Sequence, residues 1–205
     1  MSGWTRLEGL AAPLPANDID TDVIFPARYL LLLEKQGLGR YLFHGHRFGR
    51  DGSPLADFVL NRPPYDRARF LVAGANFGCG SSREHAVWAL ADVGIGCVIA
   101  RGFGEIFAAN CARNGVLALR LEDDAHAHAM AAARAGETFA VDLAARTLAC
   151  GDILVPFDID TRVRRALMQG LDEIGFTEAD DMTDIARFED QRKDRLPWLF
   201  QDIVP

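Results

Sequence analysis

Phe70-Leu71-Val72-Ala73-Gly74-Ala75-Asn76-Phe77-Gly78-Cys79-Gly80-Ser81-Ser82-Arg83-Glu84-His85 is the stretch that decides the fold. Phe70 to Ala73 is a short apolar run stopped by Gly74, the pattern of a buried strand. Gly78 to Ser81 is a loop. Ser82 to Asp92 has helix-forming composition, with Trp88, Ala89 and Ala91 for packing, and Gly94 and Gly96 break it. Cys97-Val98-Ile99-Ala100 predicts a second strand, Gly102-Phe103-Gly104 a second loop, and Glu105 to Arg113 a second helix stopped by Asn114-Gly115. Val116 to Leu119 predicts a third strand. This βαβαβ order implies a parallel sheet with right-handed crossovers.

Working outward, Asp123 to Ala135 predicts an Ala-rich helix. Thr138 to Leu143, Thr147 to Cys150 and Ile153 to Phe157 predict short strands. Asp160 caps a helix over Thr161 to Gln169, and Thr183 caps a last helix to about Arg192. The tail Leu196-Pro197-Trp198-Leu199-Phe200 is apolar. Toward the other end, the section up to about Tyr65 is rich in Gly, Pro and Asp and reads as loop, with one helix start after Pro26. The expectation is a single α/β domain over 1–205, with a loop-rich N-terminal section and a C-terminal helical tail.

Bulk composition narrows the function classes. The chain has 205 residues, 49% hydrophobic and 25% charged, which suits one packed domain. The net charge of −7 opposes a nucleic-acid backbone. The densest basic stretch, Arg162, Arg164 and Arg165, reads as a solvated helix face. The longest strongly apolar run, Tyr29 to Leu33, is too short to span a bilayer, and no targeting segment is visible, so the expectation is a cytoplasmic protein without a membrane partner. Cys79, Cys97, Cys111 and Cys150 are irregularly spaced, without a Cys-x-x-Cys pair, which argues against a metal or iron–sulfur site in this chain.

The glycine loop suits an anion. A helix N-terminus beyond a strand's carboxyl end offers free N–H groups and a partial positive charge. Glycines let backbone approach a ligand, serines add hydroxyls, and Arg83 adds a planar fork for a carboxylate or phosphate. Arg83 breaks the dinucleotide pattern Gly-x-Gly-x-x-Gly, no Gly-Lys-Ser/Thr exists here, and Glu84 breaks Gly-x-Ser-x-Gly. On the residues alone, an anion site and a plain capped helix start both remain open. Asp18, Asp20 and Asp22 lack the Gly and Glu of a calcium loop, and Asp18 reads as a self-capping turn. His44-Gly45-His46 reads as surface loop, and His126 and His128 as solvent-facing.

Asn76 to Ala86 resembles the signature of the swivelling domain of the aconitase superfamily, and within it the small-subunit family of 3-isopropylmalate dehydratase. Asp18-Ile19-Asp20-Thr21-Asp22-Val23-Ile24, Asp57 to Asn61, Phe103 to Gly115 and Gly170 to Gly175 resemble further family segments in the same order. The resemblance implies a β/β/α swivelling fold and a hydro-lyase that interconverts 2-hydroxy and 3-hydroxy diacids, as in leucine biosynthesis. It implies a large partner subunit carrying a [4Fe–4S] cluster, in a heterodimer or heterotetramer. Ser81 resembles the serine that removes the substrate proton, and Asp22 an acid that orients groups around it. Ser82 and Arg83 would hold substrate carboxylate. Lys35 and Gln36 stand where the leucine-pathway pattern has Arg-Thr and reads the substrate side chain. Val87 replaces an expected Pro. These departures leave the reaction type and open the substrate to citraconate, dimethylmaleate or another alkyl-substituted diacid. A non-catalytic anion-binding module is the reading of a different class.

Overall fold

The computed structural model describes residues 3–32, 34–81 and 83–200. Its strands are β1 (Arg6–Leu14), β2 (Phe70–Ala73), β3 (Cys97–Ala100), β4 (Leu117–Arg120), β5 (Thr138–Asp142), β6 (Thr147–Cys150) and β7 (Ile153–Pro156). Its α-helices are α1 (Thr21–Ile24), α2 (His44–Arg47), α3 (Glu84–Asp92), α4 (Glu105–Arg113), α5 (Asp123–Ala135), α6 (Thr161–Gln169), α7 (Glu173–Asp180) and α8 (Met182–Arg195). The strands form one sheet in the order β4-β3-β2-β1-β5-β6-β7. β1 to β4 are mutually parallel, and β5 to β7 are antiparallel to their neighbours.

The predicted βαβαβ unit is β2-α3-β3-α4-β4, as the buried runs required. Both faces of this part are covered, so its strands are continuous apolar runs. Leu71, Ala73, Val98 and Ala100 face one core with Phe77, Leu90 and Phe107. Phe70, Val72, Cys97 and Ile99 face the other, with Ala129, Phe139 and Leu167. Period-2 alternation thus splits each strand between two cores.

The N-terminal section corrects the sequence expectation of loop. It supplies β1, the strand that joins the parallel and antiparallel halves. Arg6 to Leu10 pair with β5, and Ala11 to Leu14 pair with β2. Pro13 argues against a central strand, because it has no N–H for the ladder. It lies in the half of β1 whose register partner is β2 alone, where one missing donor is tolerated. Ala11 and Ala12 are both 0% exposed, so burial here falls on small residues with weak strand propensity.

Two compact units divide the chain, Met1–Gly170 and Leu171–Pro205. In the second, the Asp172 carboxylate caps α7 by accepting from Gly175 N at 2.8 Å. α8 has no side-chain cap: Thr183, expected to cap it, is the second residue of the helix. Phe188, Trp198 and Leu199 are exposed. Among the described residues no helix is long and apolar enough to cross a membrane.

Candidate active site

β1, β2 and β3 run parallel, so the segments leaving them meet at one edge of the sheet. Leu14 is in register with Ala73, and Val72 with Ile99. The three exits are stitched together by backbone. Gly78 N donates to Ile19 O at 2.7 Å, Thr21 N to Cys79 O at 3.0 Å, and Phe77 N to Gly102 O at 3.0 Å. Isolated parallel bridges join Asp20 to Cys79 and Phe77 to Phe103. The Asp-Thr-Asp segment and the glycine loop, 56 or more residues apart in sequence, therefore form one surface.

Glycine is required at Gly78, where φ is +71° and an added Cβ would strike the Phe107 ring. Gly104 comes so close to the Gly78 carbonyl that a side chain there would collide with backbone. These contacts fix the loop that carries Ser81. Thr21, 2% exposed, donates its hydroxyl to Ser81 O at 2.7 Å, which anchors the serine's backbone and leaves its exposed side chain outward. Nothing in the sequence patterns singled out Thr21, although it stands in the middle of the quoted Asp-Thr-Asp motif.

Arg83 is the N-cap of α3 in extended conformation, and among the described residues no side chain caps that helix. The first N–H groups of α3 therefore keep their pull on an anion. The Arg83 side chain is largely buried, at 17% exposure, and pairs with Asp22, which is 48% exposed. Arg83 and Asp22 are thus brought together with Ser81. Ser82 lies outside the described residues. Lys35 and Gln36 are exposed and lie on the segment packed along α3: Lys35 Nζ is 3.4 Å from Asn114 Oδ1 and sits over the Trp88 ring.

The pairing changes the electrostatics expected from sequence. In the sequence, the partial positive charge of the helix end and the Arg83 fork stand around the loop. Asp22 takes up part of the Arg83 charge, and Asp18 and Asp20 stand near Cys79. Burial first, and then Asp20 and Asp18, push the Cys79 thiol above its ordinary range. Cys97 and Cys111 are pushed up by burial, and Cys150 to about 11. None of these thiols has the depressed range of a reactive or metal-bound cysteine. Among the described residues, no group of three or more His, Cys, Asp or Glu could hold a metal.

Three smaller expectations are corrected. Asp20, not Asp18, is the capping acid, accepting from Val23 N at 2.7 Å ahead of α1. Asp18 has φ of +52° and accepts from the Asn76 side chain at 2.8 Å. His128 is exposed, but His126 is buried at 7% exposure, with Nε2 donating to Ala73 O at 2.6 Å. A histidine whose ring meets a strand-end carbonyl can be buried at little cost, and spacing alone does not reveal that partner. His44 belongs to α2 and meets Arg28, Nδ1 to Nη2 at 3.0 Å.

Comparison with known proteins adds the relationship. Residues 1–124 match the aconitase C-terminal domain family. The chain is 45% identical over 203 residues to the 3-isopropylmalate dehydratase small subunit of Paramagnetospirillum magneticum, covering 97% of this chain and 100% of that one. It is 46% identical over 208 residues to the protein of the same name from Azorhizobium caulinodans, again covering 97% and 100%. The crystal structure of a 3-isopropylmalate dehydratase from Methanocaldococcus jannaschii superposes with a TM-score of 0.64. It is 23% identical and covers 89% of this chain and 99% of that one.

Proposed function

This chain belongs to the small-subunit family of 3-isopropylmalate dehydratase, and from that premise we propose that it forms one wall of a hydro-lyase site interconverting 2-isopropylmalate and 3-isopropylmalate. The observation that carries the reading is the single surface made by Asp22, Ser81 and Arg83 at the carboxyl edge of the parallel strands. Ligands bind at such an edge in open α/β sheets.

The roles follow from the chemistry of each group. Arg83 has five N–H donors in a fixed plane, and Asp22 occupies only part of that fork. The remainder, with the uncapped start of α3, receives a substrate carboxylate. Ser82 contributes a hydroxyl to the same carboxylate. Ser81 takes the proton from the carbon next to a carboxylate and later returns it on the other carbon. A serine hydroxyl is a weak base, and needs a positive, water-poor setting to lose its own proton. Because Asp22 offsets Arg83 and Ser81 is exposed, that setting requires the surface of a larger subunit closing over the loop. A [4Fe–4S] cluster held by that subunit would supply Lewis-acid assistance to departure of the substrate hydroxyl.

Lys35 and Gln36 flank the substrate side chain in this reading. Lys35 keeps a positive charge but not the guanidinium plane, and Gln36 reaches further than Thr. That difference supports a second substrate reading, citraconate, dimethylmaleate or another alkyl-substituted diacid. The test is to combine the chain with a cluster-loaded large subunit and assay 2-isopropylmalate, citraconate and dimethylmaleate. The expected result is turnover with 2-isopropylmalate preferred. Preference for a smaller diacid selects the second reading. A complex that binds these diacids yet turns over none is a non-catalytic anion-binding module.

A further inference from the structure

α3 carries a second set of side chains beyond the residue that opens it. His85, Trp88 and Asp92 are spaced i, i+3 and i+7, which places them along one face of the helix. Each holds the segment containing Lys35. His85 Nε2 donates to Leu32 O at 3.0 Å. The Trp88 ring lies 4.8 Å from Lys35 Nζ, in cation–π range. Asp92 accepts from Gly37 N at 3.2 Å and Gly39 N at 2.7 Å. One helix therefore carries Arg83 at its start and clamps the Lys35 segment along its side.

Asn114, at the end of α4, locks the centre of this clamp. Its Nδ2 donates to Glu84 Oε1 at 2.7 Å and to Asn110 O at 2.9 Å. Its Oδ1 accepts from Trp88 Nε1 at 3.0 Å and from Lys35 Nζ at 3.4 Å. Both donors and both lone pairs are used, which permits one orientation. Turned over, the amide would set its NH2 against an indole N–H and an ammonium, and its oxygen against the Glu84 carboxylate. An ammonium has three donors, so Lys35 keeps two beyond Asn114.

We infer that Asn114 and Trp88 are positioning residues that set substrate selectivity through Lys35, by fixing it relative to the carboxylate fork of Arg83. The inference rests on the reading of Lys35 as a substrate contact. It differs from a packing role because the effect of Asn114 must pass through one side chain.

Two measurements test it, both on the full chain. In the assembled enzyme, Asn114→Ala raises KM for 2-isopropylmalate about five- to tenfold, with kcat held within about twofold. KM for citraconate, which lacks the isopropyl group, changes by less than about twofold. The Asn114→Ala, Lys35→Ala double variant is no worse than Lys35→Ala alone. In the free chain, Asn114→Ala speeds tryptic cleavage after Lys35 by a similar factor. Trp88→Phe, which keeps a ring face, falls between the parent and Trp88→Leu in both assays. Multiplying effects of Asn114→Ala and Lys35→Ala, or unchanged cleavage, overturns the inference. If Lys35→Ala leaves KM unchanged while Asn114→Ala still speeds cleavage, the substrate role of Lys35 fails. The clamp is then only structural and the selectivity claim falls with it.

Discussion

Arg83 and Asp22 form the most informative pair of side chains in the molecule. A guanidinium held by one carboxylate is already oriented for a second, so in the proposed reading little ordering remains for Arg83 when it receives a substrate carboxylate. The residue types of this site were legible from the glycine loop and the Asp-Thr-Asp motif. Their pairing was not, because 61 residues separate them and only the fold joins them. Cys79 provides a sharp check on this electrostatic picture. The thiolate is the species that reacts, and each unit of raised pKa cuts it about tenfold below that pKa. Burial, Asp20 and Asp18 raise the Cys79 value, so alkylation by iodoacetamide at pH 8 is slower than that of a free thiol. Asp20→Asn keeps the cap on α1, removes one negative charge and speeds labelling. Mass-resolved labelling rates across pH measure both effects, and a Cys79 that labels faster than free thiol contradicts the assignment.

At the scale of elements, the parallel unit was readable almost residue by residue. β2, β3 and α4 coincide with the apolar runs and glycine stops that predict them. Buried strands and helices stopped by Gly or Asn-Gly announce themselves through local composition. β1 did not, since Gly9, Ala11, Ala12 and Pro13 all speak against a strand, and only its two partners make it one. α7 also escaped notice, opening at Glu173 after the Asp172 cap in a short stretch interrupted by Gly175. The bond from Thr21 to Ser81 O ties α1 to the glycine loop and belongs to this scale. Thr21→Val preserves shape and deletes the donor. It costs about 1 kcal/mol, read as a Tm lower by about 2–4 °C for a domain of this size. It also lowers turnover in the assembled enzyme, because the serine's backbone is then held only by its neighbours. Calorimetry and steady-state rates measure the two effects, and an unchanged rate with a lowered Tm would separate the bond from catalysis.

At the scale of the whole molecule, the chain in the proposed reading presents half of a site. Arg83, Ser81 and the start of α3 lie at one edge of the sheet, and among the described residues no group of three or more His, Cys, Asp or Glu could hold a metal. The acidic balance, −7 overall, makes association with nucleic acid unfavourable, and the small-subunit relatives point to a larger protein partner. The measurement closest to the central claim compares the parent chain with Ser81→Ala, each combined with a cluster-loaded large subunit and assayed on 2-isopropylmalate. Removing a positioned proton acceptor costs about a hundred- to ten-thousandfold in rate. The expected result is a Ser81→Ala complex of the same size as the parent complex, with turnover reduced by at least that lower factor. A Ser81→Ala complex that assembles and turns over at near the parent rate would contradict the account.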